Sequence, residues 1–258
     1  MFEMWSNTRM VVLTAICASL YAAILIPFKV LPIIPGVTEL RPANAIPVVC
    51  SFLFGPAAAW GAGIGNVIGD FFGGIGPGSI VGFLGNFLYG LIPYKAWSVL
   101  TDGDPLPRTL PAWIAFIGII LLASGSCALT IGWGINSMGF IPFSILGNII
   151  LVNNFTVAVV LTPILLFVIY PRVKRGRLLY RNILPKPNDT SMMMRRMGLV
   201  LTTAGVASGM IIGNLLSSGA LDIAFLTAID AGSASGAMKI AIGLLPSMAL
   251  VMVGVWLM

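Results

Sequence analysis

Histidine is absent from the 258 residues of this chain. The commonest general base and the commonest soft-metal ligand are therefore missing together. A zinc protease or a histidine-liganded haem protein is excluded. Charge is scarce as well: 9% of residues are Asp, Glu, Lys or Arg, where a soluble domain carries about 25%. Cysteine occurs three times, at Cys17, Cys50 and Cys127, always inside an apolar run and with no metal or redox spacing. No Walker A sequence occurs, so any ATP is hydrolysed by separate subunits and no cofactor or metal is expected in this chain.

What remains is apolar. Hydrophobic residues make up 58% of the chain, and the mean hydropathy is +1.02. Long apolar runs punctuated by Pro, Gly and charge indicate membrane helices rather than alternating barrel strands. The net charge of +6 does not point to nucleic acid, because eight basic residues crowd into the stretch 172–196. A cytoplasmic loop on an anionic leaflet accounts for them.

Apolar spans are expected near 9–28, 79–98, 112–131, 143–170, 197–217 and 236–257, each close to the ~20 residues that cross the hydrocarbon. The first span is too long, and too slow to reach polar sequence, to read as a cleaved signal peptide. The stretch from Pro42 to Gly73 is the ambiguous one. As one helix it would run about 48 Å, well beyond a ~30 Å core. Broken at Gly55–Pro56, it makes two short crossings. Charge decides in favour of the break. With two crossings and a cytoplasmic N-terminus, eleven Lys and Arg lie inside and only Lys29, Arg41 and Lys239 outside. The expectation is eight spans in the cell membrane with both termini cytoplasmic.

Polar residues within the spans gather toward the outer leaflet. Asn66 and Asp70 share one helical face, four residues apart. Asn44 opens the second span, Asn86 lies two turns into the fourth, and Asn148, Asn153 and Asn154 occupy the outer half of the sixth. Any one of these amides is equally consistent with an interhelical hydrogen bond. Their convergence from four spans favours a binding cavity, since polar groups in the membrane are costly. Arg41 at the outer boundary and Trp133 in an outer loop complete the candidate set. Asp70 has no acidic or histidine partner, which argues against an intramembrane enzyme.

Small residues form stripes. Gly61, Gly65, Gly69 and Gly73 recur every fourth residue on span three, and Gly205, Gly209 and Gly213 on span seven. Span one carries two such ridges: Ala18 with Ala22, and Ala15 with Ser19 and Ala23. Two small faces exceed what one internal neighbour needs, and the Ala18–Ala22 face is expected to meet a partner helix. "GGIGPGS" reads as a tight turn, since no phosphate-loop lysine follows it.

The segments "TRMVVLTAICASLYAA", "ELRPANAIPV", "LFGPAAAWGAGIGNVIGDFFGG" and "GFLGNFLYGLIPY", in that order, resemble the substrate-binding S component of energy-coupling factor (ECF) vitamin transporters. The middle region is similar to the queuosine-precursor subgroup. The resemblance spans about Thr8 to Pro171 and implies a six-helix bundle that closes its outer loops over a small vitamin-like molecule. It also implies docking on a transmembrane T component driven by two ATPases. By residue, Ala18 and Ala22 match the coupling motif, with Ala15, Ser19 and Ala23 adjoining. Arg41, Asn44, Asn66, Asp70 and Asn86 fall in segments that line the family's pocket.

The expected architecture is thus an all-α membrane protein. A six-span bundle (1–171) leads through a basic cytoplasmic linker (172–196) to an additional two-span hairpin (197–258). That hairpin departs from the family pattern and leaves a second reading open. In it, the chain is a structural or accessory subunit of a larger membrane complex built on the same fold. An empty polar pocket favours the transporter; a pocket filled by side chains favours the accessory subunit.

Overall fold

The computed structural model describes residues 2–28, 32–34, 38–39, 41–101, 103–184, 191–226 and 237–258. Helices account for nearly all of them: α1 (Thr8–Phe28), α2 (Ala45–Phe54), α3 (Pro56–Gly73), α4 (Pro77–Leu100), α5 (Leu110–Ser137), α6 (Phe143–Arg175), α7 (Tyr180–Ile183), α8 (Met192–Ser217), α9 (Ala237–Gly243) and α10 (Leu245–Leu257). A short antiparallel ribbon pairs β1 (Pro32–Ile34) with β2 (Thr38–Glu39). Lys29 and Lys186, which entered the charge reading, lie outside the described residues.

The chain is an all-helical, multi-pass membrane protein. Among the described residues α1, α5, the α6–α7 segment and α8 are long and apolar enough to cross a bilayer, and the α9–α10 pair would make a fifth. In an eight-span reading, the other crossings fall to α2, α3 and α4. At ten residues, α2 extends only about 15 Å.

The break between α2 and α3 falls at Gly55, where the sequence places it. Its φ of 55° is a left-handed conformation that a side chain resists. A Cβ there would also lie 2.7 Å from the ring of Tyr180. Pro56 then starts α3 at a position where its missing N–H costs nothing.

The glycine stripe of α3 packs against α1 at its first members. A Cβ at Gly61 would strike Cys17, and one at Gly65 would lie 2.8 Å from the carbonyl oxygen of Ala18. This contact corrects one expectation. Ala18 and Ala22 are buried, each 4% exposed, and Ala18 lies in the α1–α3 seam, so this ridge faces the interior and is not an open surface. The lipid-facing side of α1 carries Ala15, Ser19 and Ala23 with Val12, Ile16 and Leu20.

Two further boundaries differ from the sequence reading. Helix α6 continues past residue 170 to Arg175. There Lys174 pairs with Asp104 at 2.7 Å while the Tyr170 hydroxyl donates to the same carboxylate at 2.6 Å. Burial alone would raise the pKa of Asp104, but these hydrogen bonds outweigh it and hold the carboxyl below its usual range. The last span, expected as one helix over 236–257, is bent by 41° between α9 and α10. Pro246 explains the bend, because it sits at the first turn of α10 and supplies no N–H to the ladder below.

The hairpin of α8 and α10 lies against α4, α5 and α6. Lys95 donates to the Val255 carbonyl at 2.7 Å, and the guanidinium of Arg195 reaches both the Ser98 hydroxyl and the Met258 carbonyl. The outward ridge of α1 is left uncovered.

Candidate functional site

Helices α3 and α4 meet at the turn 74–76, and α5 and α6 meet at the turn 138–142. Both turns rim one cavity of about 420 Å³, within the range typical of small-molecule sites. The corner at Gly55 and the basic stretch after Pro171 occupy the opposite end of the bundle, where Tyr180 packs on Gly55 and Lys174 on the 101–109 loop.

The cavity wall divides by chemistry. One side is apolar, built from Ile131 and Ile135 of α5, Phe140 and Ile141 of the turn, and Leu146 and Ile150 of α6. The other carries Arg41, Asn44, Asn66, Asp70 and Asn86, joined by Asn153 and Asn154 from α6. Of the candidate binding residues, Arg41, Asn44, Asn66, Asp70, Asn86, Asn153 and Asn154 therefore line a single cavity.

Local structure places each of them. Asn44 precedes α2 in helical conformation and makes no capping bond. Its side chain reaches inward instead, and Nδ2 donates to Asn154 Oδ1 at 2.6 Å. Asn66 and Asp70 stand one turn apart on α3, with Asn66 Nδ2 donating to Asp70 Oδ2 at 3.1 Å. Asn86 Nδ2 returns to the Gly82 carbonyl one turn below, at 2.9 Å.

Tyr21, buried on α1, reaches Oδ1 of Asn44 at 3.2 Å and Oδ1 of Asn86 at 3.0 Å. One phenolic proton serves only one of these acceptors at a time, so the pair retains acceptor capacity for a donor that a ligand brings. Tyr89 closes the base of the network by donating to the Asn154 backbone carbonyl at 3.2 Å. The cavity thus offers paired amide donors and acceptors, one guanidinium and one carboxylate, facing an apolar wall. A flat, polar heterocycle has the matching surface, with hydrogen-bonding edges and apolar faces.

Two candidates stand elsewhere. The Trp133 indole donates to the Ala241 carbonyl of α9 at 3.0 Å, so it holds the C-terminal segment and does not face the cavity. Asn148 exchanges hydrogen bonds with Asn214 of α8. Both were placed on the correct end of the bundle, but on the side that the C-terminal helices cover.

Two residues that shape the cavity were not among the candidates: Tyr21 and Gly82. Tyr21 carries a polar group inside an apolar span, and such a group needs a buried partner. Gly82 is detectable only in three dimensions: a Cβ there would lie 2.8 Å from Asn66 Nδ2.

Comparison with known proteins agrees with this picture. A family model described as QueT transporter matches residues 11–171, more than half of the chain. The match covers every cavity-lining residue and ends before the basic linker. No curated protein and no solved structure matches the chain.

Proposed function

We propose that the chain, which belongs to the QueT transporter family, an ECF S-component family for queuosine precursors, captures one such base in the cavity between α2 and α6. Membership makes it a membrane transporter S component with a small-molecule substrate, and gives it a transport role rather than catalysis. The finer reading is an ECF-type importer in the cell membrane. A separate T component and two ATPases provide the drive, because this chain has no nucleotide-binding sequence.

The observation that carries the reading is the convergence of carboxamides from α3, α4 and α6 and the segment before α2 on one open cavity beside Arg41 and Asp70. Because that cavity is not filled by side chains, the accessory-subunit reading loses its main support. The mouth faces outward if the eleven-to-three distribution of Lys and Arg sets the orientation. Substrate then enters from outside, and both termini are cytoplasmic.

The test is calorimetric titration of the purified full chain with free queuosine-precursor bases, with guanine as the comparison. Asp70→Leu and Asn66→Leu are expected to remove binding without lowering expression. Each unpaired buried group costs about 1–3 kcal/mol, or roughly tenfold or more in affinity. A wild-type protein that binds none of the bases, or variants that bind as tightly as wild type, would overturn the assignment.

A further inference from the structure

Residues 192–258 lie outside the family match, yet α8 makes specific polar contacts with the outer half of α6. Helix α6 begins at Phe143 after Pro142, which has no side chain able to cap it. Its first amides are satisfied from other helices. Asn136 of α5 accepts from Phe143 N at 2.8 Å, and Ser217 of α8 accepts from Ser144 N at 3.1 Å. The Ser217 hydroxyl in turn donates to that of Ser144 at 3.0 Å. The α6 N-terminus is therefore capped in part by the C-terminal hairpin.

One turn further on, Asn148 and Asn214 form a reciprocal pair. Asn148 Nδ2 donates to Asn214 Oδ1 at 2.6 Å, and Asn214 Nδ2 donates to Asn148 Oδ1 at 3.2 Å. Each amide also bonds the carbonyl one turn below on its own helix, Ser144 and Met210 respectively. Gly213 lets the two helices close, for a Cβ there would lie 2.5 Å from the Phe143 ring.

These contacts lie on one face of α6. Ser144 and Asn148 are two residues out of step with Leu146 and Ile150, about 200° around the helix. Leu146, Ile150, Asn153 and Asn154 line the cavity. The face gripped by α8 is thus opposite the face presented to the ligand.

We propose that the hairpin is a brace that preforms the α6 wall of the cavity, and that Asn214 and Ser217 are positioning residues for ligand binding, acting through Asn148 and Ser144. The inference rests on the substrate-binding reading of the cavity. With the brace in place, Asn153 and Asn154 meet the ligand already ordered. Without it, the ordering of the α6 first turns is charged against the binding free energy.

The experiment compares wild type, Asn214→Leu and the double variant Asn148→Leu/Asn214→Leu, all as full-length chains in nanodiscs. Affinity for a queuosine-precursor base is read by calorimetry, thermal stability by melting, and backbone protection of 143–154 by hydrogen exchange without ligand. Asn214→Leu is expected to weaken binding about three- to thirty-fold, in line with interhelical amide bonds in membranes, and to speed exchange across 143–154. The double variant recovers part of the affinity, because no amide is left orphaned. A purely structural hairpin gives a lower melting temperature with unchanged affinity and unchanged exchange at 143–154, and that result overturns the proposal. If wild type binds no base, the substrate reading fails instead. Exchange then decides the brace alone: faster exchange in Asn214→Leu supports it and unchanged exchange refutes it.

Discussion

Gly82→Ala adds a single methyl group to the cavity wall, and its consequences separate binding from folding. The new Cβ would lie 2.8 Å from Asn66 Nδ2, so the amide must retreat by about 0.6 Å to reach the 3.4 Å at which ordinary contact begins. The amide is a flexible side-chain end, so the backbone can stay where it is. The bond from Asn66 to Asp70 Oδ2 is 3.1 Å long, and a retreat of that size takes it past the useful range. In the free protein, water in the open cavity replaces that bond; on binding, the displaced amide leaves a ligand group unpaired, which costs about 1–3 kcal/mol, or roughly tenfold or more in affinity. Against this, alanine gains about 1 kcal/mol over glycine in a helix interior. The expected outcome is affinity weakened at least about tenfold with the melting temperature unchanged or raised. Two controls bracket the result. Gly118→Ala meets nothing within 4 Å and should leave affinity unchanged. Gly90→Ala lies 2.7 Å from the Ala58 carbonyl oxygen, which is backbone and cannot swing aside, so melting should fall. Calorimetry and thermal melting on the same preparations read both quantities. Unchanged affinity in Gly82→Ala, or affinity and melting temperature falling together, would refute the reasoning.

Two further outcomes are expected. Ala15→Trp with Ser19→Trp, on the outward ridge of α1, should block co-purification with a T component while leaving base binding intact; Ala18→Trp should instead lower the yield of folded protein, because its side chain faces the α3 seam. Either pattern reversed would assign the ridges the other way. Cysteine introduced at Arg177 or Arg196 should resist membrane-impermeant labelling in intact cells, and efficient labelling there would invert the topology and close the cavity to external substrate.

Much of the cavity was legible because polar groups in apolar spans are few and expensive. Asn44, Asn66, Asp70 and Asn86 stand out against glycine, alanine and isoleucine, and although each alone is equally consistent with an interhelical hydrogen bond, together they converge on one leaflet. The break at Gly55–Pro56 was equally legible, since no single span accommodates the length. Asn148 and Trp133 went astray for a specific reason. Helices α5 and α6 have two partners, the cavity on one side and the C-terminal helices on the other. Both sides need polar anchors, and periodicity reports a face without naming its neighbour. Likewise, two small ridges on α1 were visible, but the seam was settled only by the glycines of α3 against Ala18. The bend before α10 had a signal in Pro246, hidden by the apolar character of the whole segment.

The corner at Gly55 makes a V of α2 and α3, and the ligand-facing residues sit at the tips of its arms. Asp70 is fifteen residues from the vertex, a reach of about 22 Å, so a change of about 5° in the opening of the V would displace it by roughly 2 Å. The Tyr180 ring, wedged against the vertex, belongs to the stretch beyond the family match. The cavity rim and this aromatic contact therefore stand at the two ends of the same pair of helices.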